Sequence, residues 1–158
     1  MPEHAIYTAT RGGFLISTDP ALLDVAEVHS FLTACYWSPG IPRHIVERAV
    51  SHSLCFGLYG AADDGPIRPQ IGFARVVTDR ATFAYLCDVF VLEPFRGQGL
   101  GHWLMESVFA HPDLQGLRRF MLMTRDAHGL YERFGFSGLA DPTRCMARWN
   151  PSVYTTPR

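Results

Sequence analysis

Three glycines at alternate positions, Gly97, Gly99 and Gly101, separate an apolar stretch from a helical pattern. Because glycine has no Cβ atom, the main chain of this turn can approach a ligand closely. The first N–H groups of the following helix have no partner within the helix, and they favour a phosphate or a pyrophosphate. Arg96 either adds positive charge there or stays solvated. The same spacing also suits a tight strand-to-helix turn that binds nothing, and both interpretations stay open.

Two widespread nucleotide-binding patterns are excluded by residue type and spacing. The turn has the spacing G-x-G-x-G rather than G-x-G-x-x-G, and no acidic residue follows about 20 positions later at a strand end, as a dinucleotide-binding fold requires. The chain contains no lysine, since its 14 positive charges are all arginine. A Walker A phosphate loop and a Schiff-base cofactor site both need a lysine, so both are excluded.

The composition predicts one globular domain over residues 1–158, because 47% of the residues are hydrophobic and 18% are charged. A formal net charge of −1 gives no overall attraction to nucleic acid or to an anionic membrane, so neither is expected as a partner. No apolar run approaches the ~20 residues of a membrane span. Residues 1–10 lack the apolar core of a signal peptide, and the protein is therefore expected in the cytoplasm.

The cysteines and histidines show no pattern of metal ligands. The four cysteines are widely spaced, and the seven histidines lack H-x-x-x-H and H-x-H spacing. A zinc cluster or a disulfide framework needs closer or more regular spacing, so no metal is expected. Three of the four cysteines have apolar neighbours in the sequence and are expected to be small buried hydrophobic residues.

Periodic apolar patterns predict the elements that position the glycine turn. Strands are predicted over residues 13–17, 53–59, 71–78, 82–92, 119–124 and 145–149. Helices are predicted from Asp19 to about residue 35, over 42–50, over 99–110, and from Asp126 as N-cap to Gly135. Residues 60–69 are expected to form a loop and residues 79–81 a hairpin. This order predicts an α/β or α+β sandwich with a largely antiparallel sheet.

Two motifs, taken together and in this order, resemble those of the GCN5-related N-acetyltransferase (GNAT) superfamily. The family motif Arg/Gln-x-x-Gly-x-Gly/Ala is matched, after the apolar strand Val89, Phe90, Val91, by Arg96, Gly99 and Gly101. The second signature, Ala-x-x-Leu-Tyr-x-x-x-Gly-Phe, is matched by Ala127, Leu130, Tyr131, Gly135 and Phe136. The resemblance covers roughly residues 13–149 and implies the GNAT fold, a mixed and mostly antiparallel sheet of about six or seven strands flanked by about four helices.

The resemblance implies an acyltransferase that moves the acetyl group of acetyl-CoA to an amine within a ternary complex. The glycine turn would bind the CoA pyrophosphate. Main-chain groups of a bulged strand would form hydrogen bonds with the pantetheine arm and the thioester carbonyl, and this strand would separate from strand 119–124 to admit the cofactor. The residues implied for these contacts are Val89, Phe90, Val91, Arg96, Gly97, Gln98, Gly99, Leu100, Gly101 and His102. Many family members carry asparagine where this chain has Thr124, which still offers a hydroxyl group to the cofactor.

Tyr131 matches the family position that commonly protonates the departing thiolate. Acyl transfer needs a neutral amine, a polarised carbonyl and a proton for the leaving group. A phenol can supply that proton to a thiolate, since their unperturbed pKa values are roughly 10 and 8.5. The alternative is that Tyr131 only packs beside Leu130 and Phe134.

The general base is harder to predict. Asp88 is the single carboxylate within the apolar stretch 85–92, so it is either a catalytic candidate or the acceptor of a structural hydrogen bond. Tyr85 stands near the position where some family members carry a glutamate base, and it cannot act as a carboxylate. In a regular strand Tyr85 and Asp88 point to opposite faces, and a bulge would change this. Deprotonation through water, without a single essential base, is the third option.

Tyr36 and Trp37 stand in the predicted loop between the first two helices, a region that in this family often lines the acceptor site. They either contact an apolar or cationic amine or seal the edge of the core. The favoured acceptor is a primary amine of a small molecule, because no basic or acidic extension indicates a protein partner. The alternatives are a protein lysine or N-terminal acetyltransferase and a CoA-binding sensor without catalysis. The resemblance leaves a homodimer open.

Overall fold

The computed structural model describes residues 5–62 and 68–155. Outside this range lie residues 1–4 of the stretch considered for a signal peptide, part of the predicted loop 60–69 and the ends of the predicted domain 1–158. Within it, six strands form one sheet in the order of the chain. They are β1 Thr8–Arg11, β2 Phe14–Ser17, β3 Leu54–Tyr59, β4 Gln70–Thr78, β5 Phe83–Val91 and β6 Arg119–Leu122.

Neighbouring strands are antiparallel except for β5 and β6, which run parallel. Parallel neighbours need a crossover connection, and here it contains helix α3. The α-helices of the described residues are α1 Val25–Ala34, α2 Arg43–Ser51, α3 Leu100–Ala110 and α4 His128–Glu132. The predicted fold, a mixed and mostly antiparallel sheet with about four helices, is confirmed with six strands.

The two faces of the sheet are covered by different helices. On one face, the core joins the sheet to α3 and α4 through Phe56, Val76, Leu86, Trp103, Leu104 and Tyr131. On the other face, α1 and α2 pack onto the sheet through Val28, Leu32, Val46, Phe73 and Phe90. The apolar runs of the central strands follow from this arrangement, since both of their faces are removed from water.

The hairpin between β4 and β5 is confirmed, and Asp79 organises it. One carboxylate oxygen of Asp79 accepts hydrogen bonds from the main-chain N–H groups of Ala81, Thr82 and Phe83. The other accepts a bond from the Thr82 hydroxyl group at 2.6 Å. The Thr82 hydroxyl and these N–H groups hold the pKa of Asp79 well below its usual range.

The N-terminal third of the chain differs from the sequence pattern in two elements. Strand β1 was not predicted, because its residues are largely polar and exposed and it is held by main-chain pairing with β2. The single helix predicted from Asp19 is wrong in its first turn. Asp19 caps a short 3-10 turn at Pro20–Leu22, and Asp24 caps α1 by accepting a hydrogen bond from the N–H group of Glu27 at 3.0 Å.

Helix α4 is shorter than predicted at both ends, His128–Glu132 rather than Asp126 to Gly135, and a turn at residues 133–135 follows it. Asp126 is not the N-cap, since the helix begins after Ala127, whose N–H group donates to Oγ1 of Thr124 at 3.0 Å. At the other end Gly135 has a φ of 85°, and the N–H group of Phe136 returns to the carbonyl of Tyr131. The predicted packing of Phe136 against the helix is thereby confirmed.

The strand predicted over residues 145–149 is wrong. These residues are exposed and pair with no strand of the described chain. The apolar side chains Met146 and Trp149 suggested a strand, but neither reaches the core. As a result β6 is an edge strand of the sheet.

Candidate active site

The main chain between β5 and α3 forms an open turn at the N-terminus of α3. Gly97 and Gly99 have φ angles of 78° and 76°, in the left-handed region that favours glycine. A Cβ atom at either position would meet no atom within 4 Å, so the space in front of the turn is open. Gly99 is the N-cap of α3 and supplies no side-chain cap, which leaves the first N–H groups of the helix available to an anion.

Two polar side chains of this turn are used to hold its own main chain. Nε of Arg96 donates to the carbonyl oxygen of Val91 at 2.8 Å, which ties the turn to the end of β5. The side-chain amide of Gln98 donates to the carbonyl oxygen of Phe95 at 3.4 Å. The turn therefore presents mainly main-chain groups to a ligand, with the Arg96 charge beside them.

His102 and Leu100 belong to the first turn of α3. Leu100 is buried and anchors the helix in the core, so its main-chain N–H group alone can reach a ligand. The His102 ring lies 4.9 Å from the Phe134 ring, and its Nε2 is 3.4 Å from a carboxylate oxygen of Glu106. These contacts pack His102 along the helix, beside the turn rather than across it.

Strand β5 carries a bulge of the kind that the resemblance implies. The pairing with β4 skips a residue, so Asp88 and Val89 together face the single residue Ala74. Asp88 has a φ of 54°, a left-handed conformation that is uncommon for residues other than glycine. The bulge bends the strand at the point where it leaves β6.

A gap opens between β5 and β6 beyond the bulge. Their parallel pairing begins with Phe83 opposite Arg119 and ends with Leu86 opposite Leu122. Strand β5 continues to Val91 without β6 beside it, so its main-chain groups on this side face the gap. The splay implied by the resemblance is therefore present.

The side chains at the gap point away from it to either face of the sheet. Phe90 is buried and stacks on Phe31 of α1 with ring centroids 3.9 Å apart. Val89 and Val91 pack on the opposite face, against the core that includes α3. Both faces are thus filled, and main-chain groups line the edge of the strand. An extended arm bound there would pair with β5 as a further strand does.

Tyr131 lies in α4 with 8% of its surface exposed and joins the core on the α3 face. Burial, with a smaller contribution from the Tyr36 phenol, raises the pKa of Tyr131 to about 12. Tyr36 belongs to the loop after α1, and Tyr131 belongs to the helix that follows β6. Tyr131 stays protonated at neutral pH and also packs on Phe136, with ring centroids 6.1 Å apart. The packing role and the proton-donor role are compatible.

Asp88 joins the bulge to the loop between α1 and α2. One of its carboxylate oxygens accepts a bond from Nε of Arg75 at 2.7 Å, and the other accepts a bond from Nε1 of Trp37 at 3.1 Å. The Arg75 and Asp88 side chains are 18% and 12% exposed. Burial is the largest single effect and would lower the pKa of Arg75, but the charge and hydrogen bond of Asp88, together with Cys87 and Cys55, raise this pKa on balance. Asp88 therefore accepts structural hydrogen bonds on both oxygens, and its role as a base stays a prediction.

Tyr85 lies half-buried on β5, before the bulge. Burial raises its pKa, and Cys87 and Asp88 add smaller contributions of the same sign. No hydrogen bond joins Tyr85 and Asp88 among the described contacts.

Tyr36 and Trp37 are half-exposed and pack edge to face, with ring centroids 5.0 Å apart. The guanidinium carbon of Arg125 lies 3.8 Å from the centroid of the Tyr36 ring. Arg125 follows β6, and Tyr36 follows α1, so this cation–π contact joins the two loops on either side of the gap. Of the two roles predicted for these aromatic residues, the position at the gap favours the acceptor side.

Sequence reasoning misses Arg125 and Arg75. A signal exists for Arg75, because an arginine within an apolar strand needs a buried partner. For Arg125 the local sequence offers no signal, since its contact with Tyr36 depends on how two distant loops meet. Ser53, whose hydroxyl oxygen accepts a bond from Arg75 at 3.1 Å, is missed for the same reason.

The cysteines of the described chain are all free thiols. Cys55 and Cys87 flank Arg75 on β3 and β5, and burial raises the pKa of each to about 12. Both stay protonated at neutral pH, which does not suit a nucleophile. Residues 5–62 and 68–155 contain no cluster of His, Cys, Asp and Glu side chains that could hold a metal ion. The same residues contain no helix that is long and apolar enough to span a membrane.

Comparison with known sequences identifies relatives over most of the chain. The sequence profile described as "Acetyltransferase (GNAT) domain" matches residues 56–138. A protein of Gibberella zeae described as an acetyltransferase is 37% identical over 139 residues, which is 77% of each chain. The matched range includes the bulge, the glycine turn and α4.

Comparison with solved structures identifies the same fold. A crystal structure from Xanthomonas campestris pv. campestris, described as an acetyltransferase of the GNAT family, is 51% identical with a TM-score of 0.83. The match covers 90% of this chain and 97% of that one. A Mycobacterium tuberculosis protein solved in complex with CoA is 19% identical with a TM-score of 0.54, over 73% of this chain and 68% of that one. At this identity the likeness is one of fold.

Proposed function

This chain belongs to the acetyltransferase (GNAT) family and is an acyltransferase enzyme, and we propose that it transfers the acetyl group of acetyl-CoA to the primary amine of a small molecule. We assign the activity to one domain spanning residues 1–158. The observation that carries the proposal is the glycine turn followed along β5 by the gap, with Tyr131 in the core cluster on which Val89 and Val91 pack. A thioester donor needs these parts: an anion site, an edge for an extended arm and a proton donor.

The donor side rests on main-chain groups. The N–H groups of the turn at Gly99 and of the start of α3 would bind the pyrophosphate of acetyl-CoA. The unpaired edge of β5 at residues 89–91 would hydrogen-bond the amides of the pantetheine arm, as an added strand would. The CoA complex of the Mycobacterium tuberculosis protein, which has the same fold, supports this choice of donor.

The reaction joins the amine and the thioester directly. The amine nitrogen attacks the carbonyl carbon, a C–N bond forms, and the C–S bond breaks. The nitrogen loses one proton and the CoA sulfur gains one, so the products are an amide and free CoA. An N–H group at the bulge of β5 would polarise the carbonyl oxygen, where negative charge develops in the transition state.

Tyr131 is the proposed proton donor to the departing sulfur. Its pKa of about 12 keeps the phenol protonated at neutral pH, and its burial excludes water that would compete for the thiolate. A phenol of that pKa is a weaker acid than an ordinary thiol, whose pKa is roughly 8.5, so proton transfer is uphill and becomes possible only when the negative charge on the sulfur is nearly complete. Tyr131 therefore acts late in C–S bond breaking and recovers its proton from solvent.

Asp88 fits a positioning role better than that of a base. Its carboxylate is shared between Arg75 and Trp37, and taking up the amine proton would weaken the ion pair that holds the bulge. We infer that Asp88 orients Trp37 at the acceptor side and that the amine loses its proton to water. This inference selects one of the options that the sequence leaves open.

The acceptor side supports a small molecule. The contact between Arg125 and Tyr36 joins the loops on the two sides of the gap, and Trp37 packs beside Tyr36. We infer that loops joined in this way admit a compact amine more readily than a lysine within a folded protein. Acetylation of a protein lysine or N-terminus is the second candidate. A CoA-binding sensor is disfavoured by the presence of Tyr131 at the gap.

The test measures donor binding and turnover separately. Binding is followed as the melting temperature of the protein with acetyl-CoA or CoA, and turnover as thiol release from acetyl-CoA in the presence of single amines. The amine panel contains small primary amines, a lysine-containing peptide and a peptide with a free N-terminus. We expect acetyl-CoA to raise the melting temperature and several small amines to release thiol.

The outcomes separate the candidates. No change in melting temperature at millimolar acetyl-CoA would contradict the donor assignment. Thiol release with peptides alone would assign the second candidate, and binding without thiol release by any amine would assign the sensor. Mass spectrometry of the product distinguishes amide formation from simple hydrolysis, because only the former adds an acetyl group to the amine.

A further inference from the structure

Arg125 is held in a defined orientation beside the proposed site of chemistry. Its guanidinium carbon lies 3.8 Å from the centroid of the Tyr36 ring, a distance at which the planar group stacks on the ring face. Stacking uses the face of the guanidinium group and leaves the N–H groups at its rim to bind a ligand. A planar carboxylate is the partner that matches such a rim with two parallel hydrogen bonds.

The charges around the gap leave this arginine without a strong partner. Asp88 is engaged by Arg75 and Trp37. Asp126 approaches Arg125 at 3.8 Å, but the two side chains are 69% and 66% exposed, and ion pairs of that kind contribute little. Of the charged groups named here, Arg125 alone is held only weakly by an exposed neighbour, so an anionic group can replace Asp126 at its N–H groups.

We propose that the acceptor is an amine that carries a carboxylate close to its amino group, as α-amino acids do, and that Arg125 binds this carboxylate. The proposal rests on the function proposed above. Arg125 lies in the loop that leads from β6 into α4, six residues before Tyr131, and its contact with Tyr36 joins this loop to the α1–α2 loop. The carboxylate on Arg125 then directs the amine into the gap.

The test compares acceptors that differ only in the carboxylate. Thiol release is measured with a series of α-amino acids, with their carboxamides and with phosphoethanolamine, each as kcat/KM. Charge-assisted hydrogen bonds of this kind change affinity by about 10-fold to 100-fold, so the wild-type enzyme should prefer an amino acid over its amide by that factor. Arg125→Gln should remove the preference by raising the KM of the amino acid, with the KM of acetyl-CoA unchanged.

Two further variants define the contribution of geometry and of charge. Arg125→Lys keeps the charge but loses the planar fork, so it should restore only part of the preference. Arg43→Gln removes the same charge from the surface of α2, where Arg43 pairs with Glu47, and should keep the full preference. Equal rates with amino acids and amides, a stronger preference for phosphoethanolamine, or an unchanged preference in Arg125→Gln would overturn the carboxylate site while leaving the acetyltransferase proposal intact. Absence of thiol release with every amine would instead overturn both.

Residues 137–153 form a C-terminal segment that we call the C-terminal arm. Every residue of the arm is exposed, and Met146 and Trp149 are 96% and 82% exposed. The arm is held at both ends: Phe136 packs on Phe109 and Phe120, and Tyr154 packs on the core of α1 and α2. Large apolar side chains fixed at the surface in this way indicate a contact with another molecule.

Strand β6 offers an edge with which a further strand can pair. In the described residues β6 pairs with β5 on one side alone, so its other edge has free main-chain groups. Met123, directly after β6, is 84% exposed. We infer that residues 145–149 of the arm pair with β6 of a second copy, and that the exchange is reciprocal in a symmetric dimer. In this arrangement the apolar segment of each copy forms main-chain hydrogen bonds with the free edge of β6 in the other copy.

Native Cys145 allows this dimer to be tested. Wild-type protein is mixed with a tagged Cys145→Ser, Met123→Cys variant under mild oxidation, and disulfides between the two chains are identified by mass spectrometry. We expect a dimer mass by light scattering and a bond from Cys145 to the new thiol. A matched control, Cys145→Ser with Glu47→Cys on the exposed surface of α2, should form no such bond. A monomer over the full concentration range, or a dimer with equal cross-linking in both mixtures, would overturn the inference.

Discussion

The turn at residues 96–101 takes its shape from main-chain groups, whereas the acceptor side takes its shape from side chains of three distant segments. The turn needs glycines at positive φ and the start of a helix, all within one stretch. The acceptor side brings together Tyr36 and Trp37 from the α1–α2 loop, Asp88 from β5 and Arg125 from the β6–α4 loop. A site of main-chain groups keeps its ligand when most side chains change, while a site of side chains can change its ligand by single substitutions.

The largest effect is expected from Gly99→Glu, which tests the donor side alone. Each phosphate charge about 5 Å from the new carboxylate costs roughly 3 kcal/mol at an effective dielectric constant of about 20. Two phosphates together lower the affinity for acetyl-CoA by more than about 1,000-fold, which calorimetric titration measures. No atom lies within 4 Å of a Cβ atom at this position, so the variant has room to fold.

Gly99→Ala is the matched control for this variant. Any residue other than glycine is strained at a φ of 76°, by about 1–2 kcal/mol, and alanine has this strain without the charge. The two variants should therefore lose similar stability in thermal unfolding but differ strongly in affinity for acetyl-CoA. Equal affinities in the two would show that the turn does not face the pyrophosphate.

The second-largest effect is expected at Tyr131, the proposed proton donor between the donor and acceptor sides. Tyr131→Phe removes the proposed proton donor and keeps the ring that packs on Phe136, so kcat should fall by about 100-fold while the dissociation constant of acetyl-CoA stays the same. Since the pKa of Tyr131 is about 12, the wild-type rate should show no loss from its ionisation up to about pH 10. A variant with unchanged kcat would leave Tyr131 a packing role only.

The contrast between the two sides also explains what could be predicted from the sequence. Gly99 and Tyr131 lie in motifs in which neighbouring residues determine the local structure, so both motifs and most elements could be located. The acceptor contacts join residues 37 and 88, or 36 and 125, and nothing near either residue predicts its partner. The same limit applies to β1, whose polar residues form a strand because β2 lies beside them.

Two predictions made from the local sequence were wrong, the N-cap of α4 and the strand over residues 145–149. Asp126 has the residue type of an N-cap, but the Thr124 hydroxyl receives the N–H group of Ala127. The apolar residues of 145–149 have the pattern of a strand, but a strand forms only with a neighbour, and the described part of this chain provides none. The first failure is a choice between two side chains close together in the sequence, and the second arises because a strand needs a neighbouring strand in the tertiary structure.

An intermediate effect is expected from Asp88→Asn, which distinguishes a base from a positioning residue. Asparagine is tolerated at positive φ, so the φ of 54° is kept, and the change removes the charge and turns one of the two acceptor oxygens into an NH2 donor. Loss of the partly buried pair with Arg75 should lower the free energy of unfolding by about 2–3 kcal/mol. With Trp37 less firmly held, the acceptor KM should rise by about 10-fold.

The pH dependence of kcat decides between the roles of Asp88. If Asp88 positions Trp37, kcat should change little and the acidic limb of the pH profile should be the same in wild type and Asp88→Asn. If Asp88 is the base, kcat should fall by about 100-fold or more and this limb should be altered. The acetyl-CoA affinity is measured alongside, because it reports whether the substitution also disturbs the bulge of β5 on the donor side.

The smallest effect is expected from Trp37→Phe, which removes one hydrogen bond and keeps an aromatic ring at the acceptor side. The bond from Nε1 of Trp37 to Asp88 is partly exposed, and such a bond contributes about 1 kcal/mol or less. The acceptor KM should therefore rise by about 3-fold, and addition of this substitution to Asp88→Asn should raise it little further, because both act through the same bond. Fully additive effects of the two substitutions on acceptor KM would show that Trp37 contacts the amine independently of Asp88. The acceptor side would then consist of separate contacts rather than one connected network.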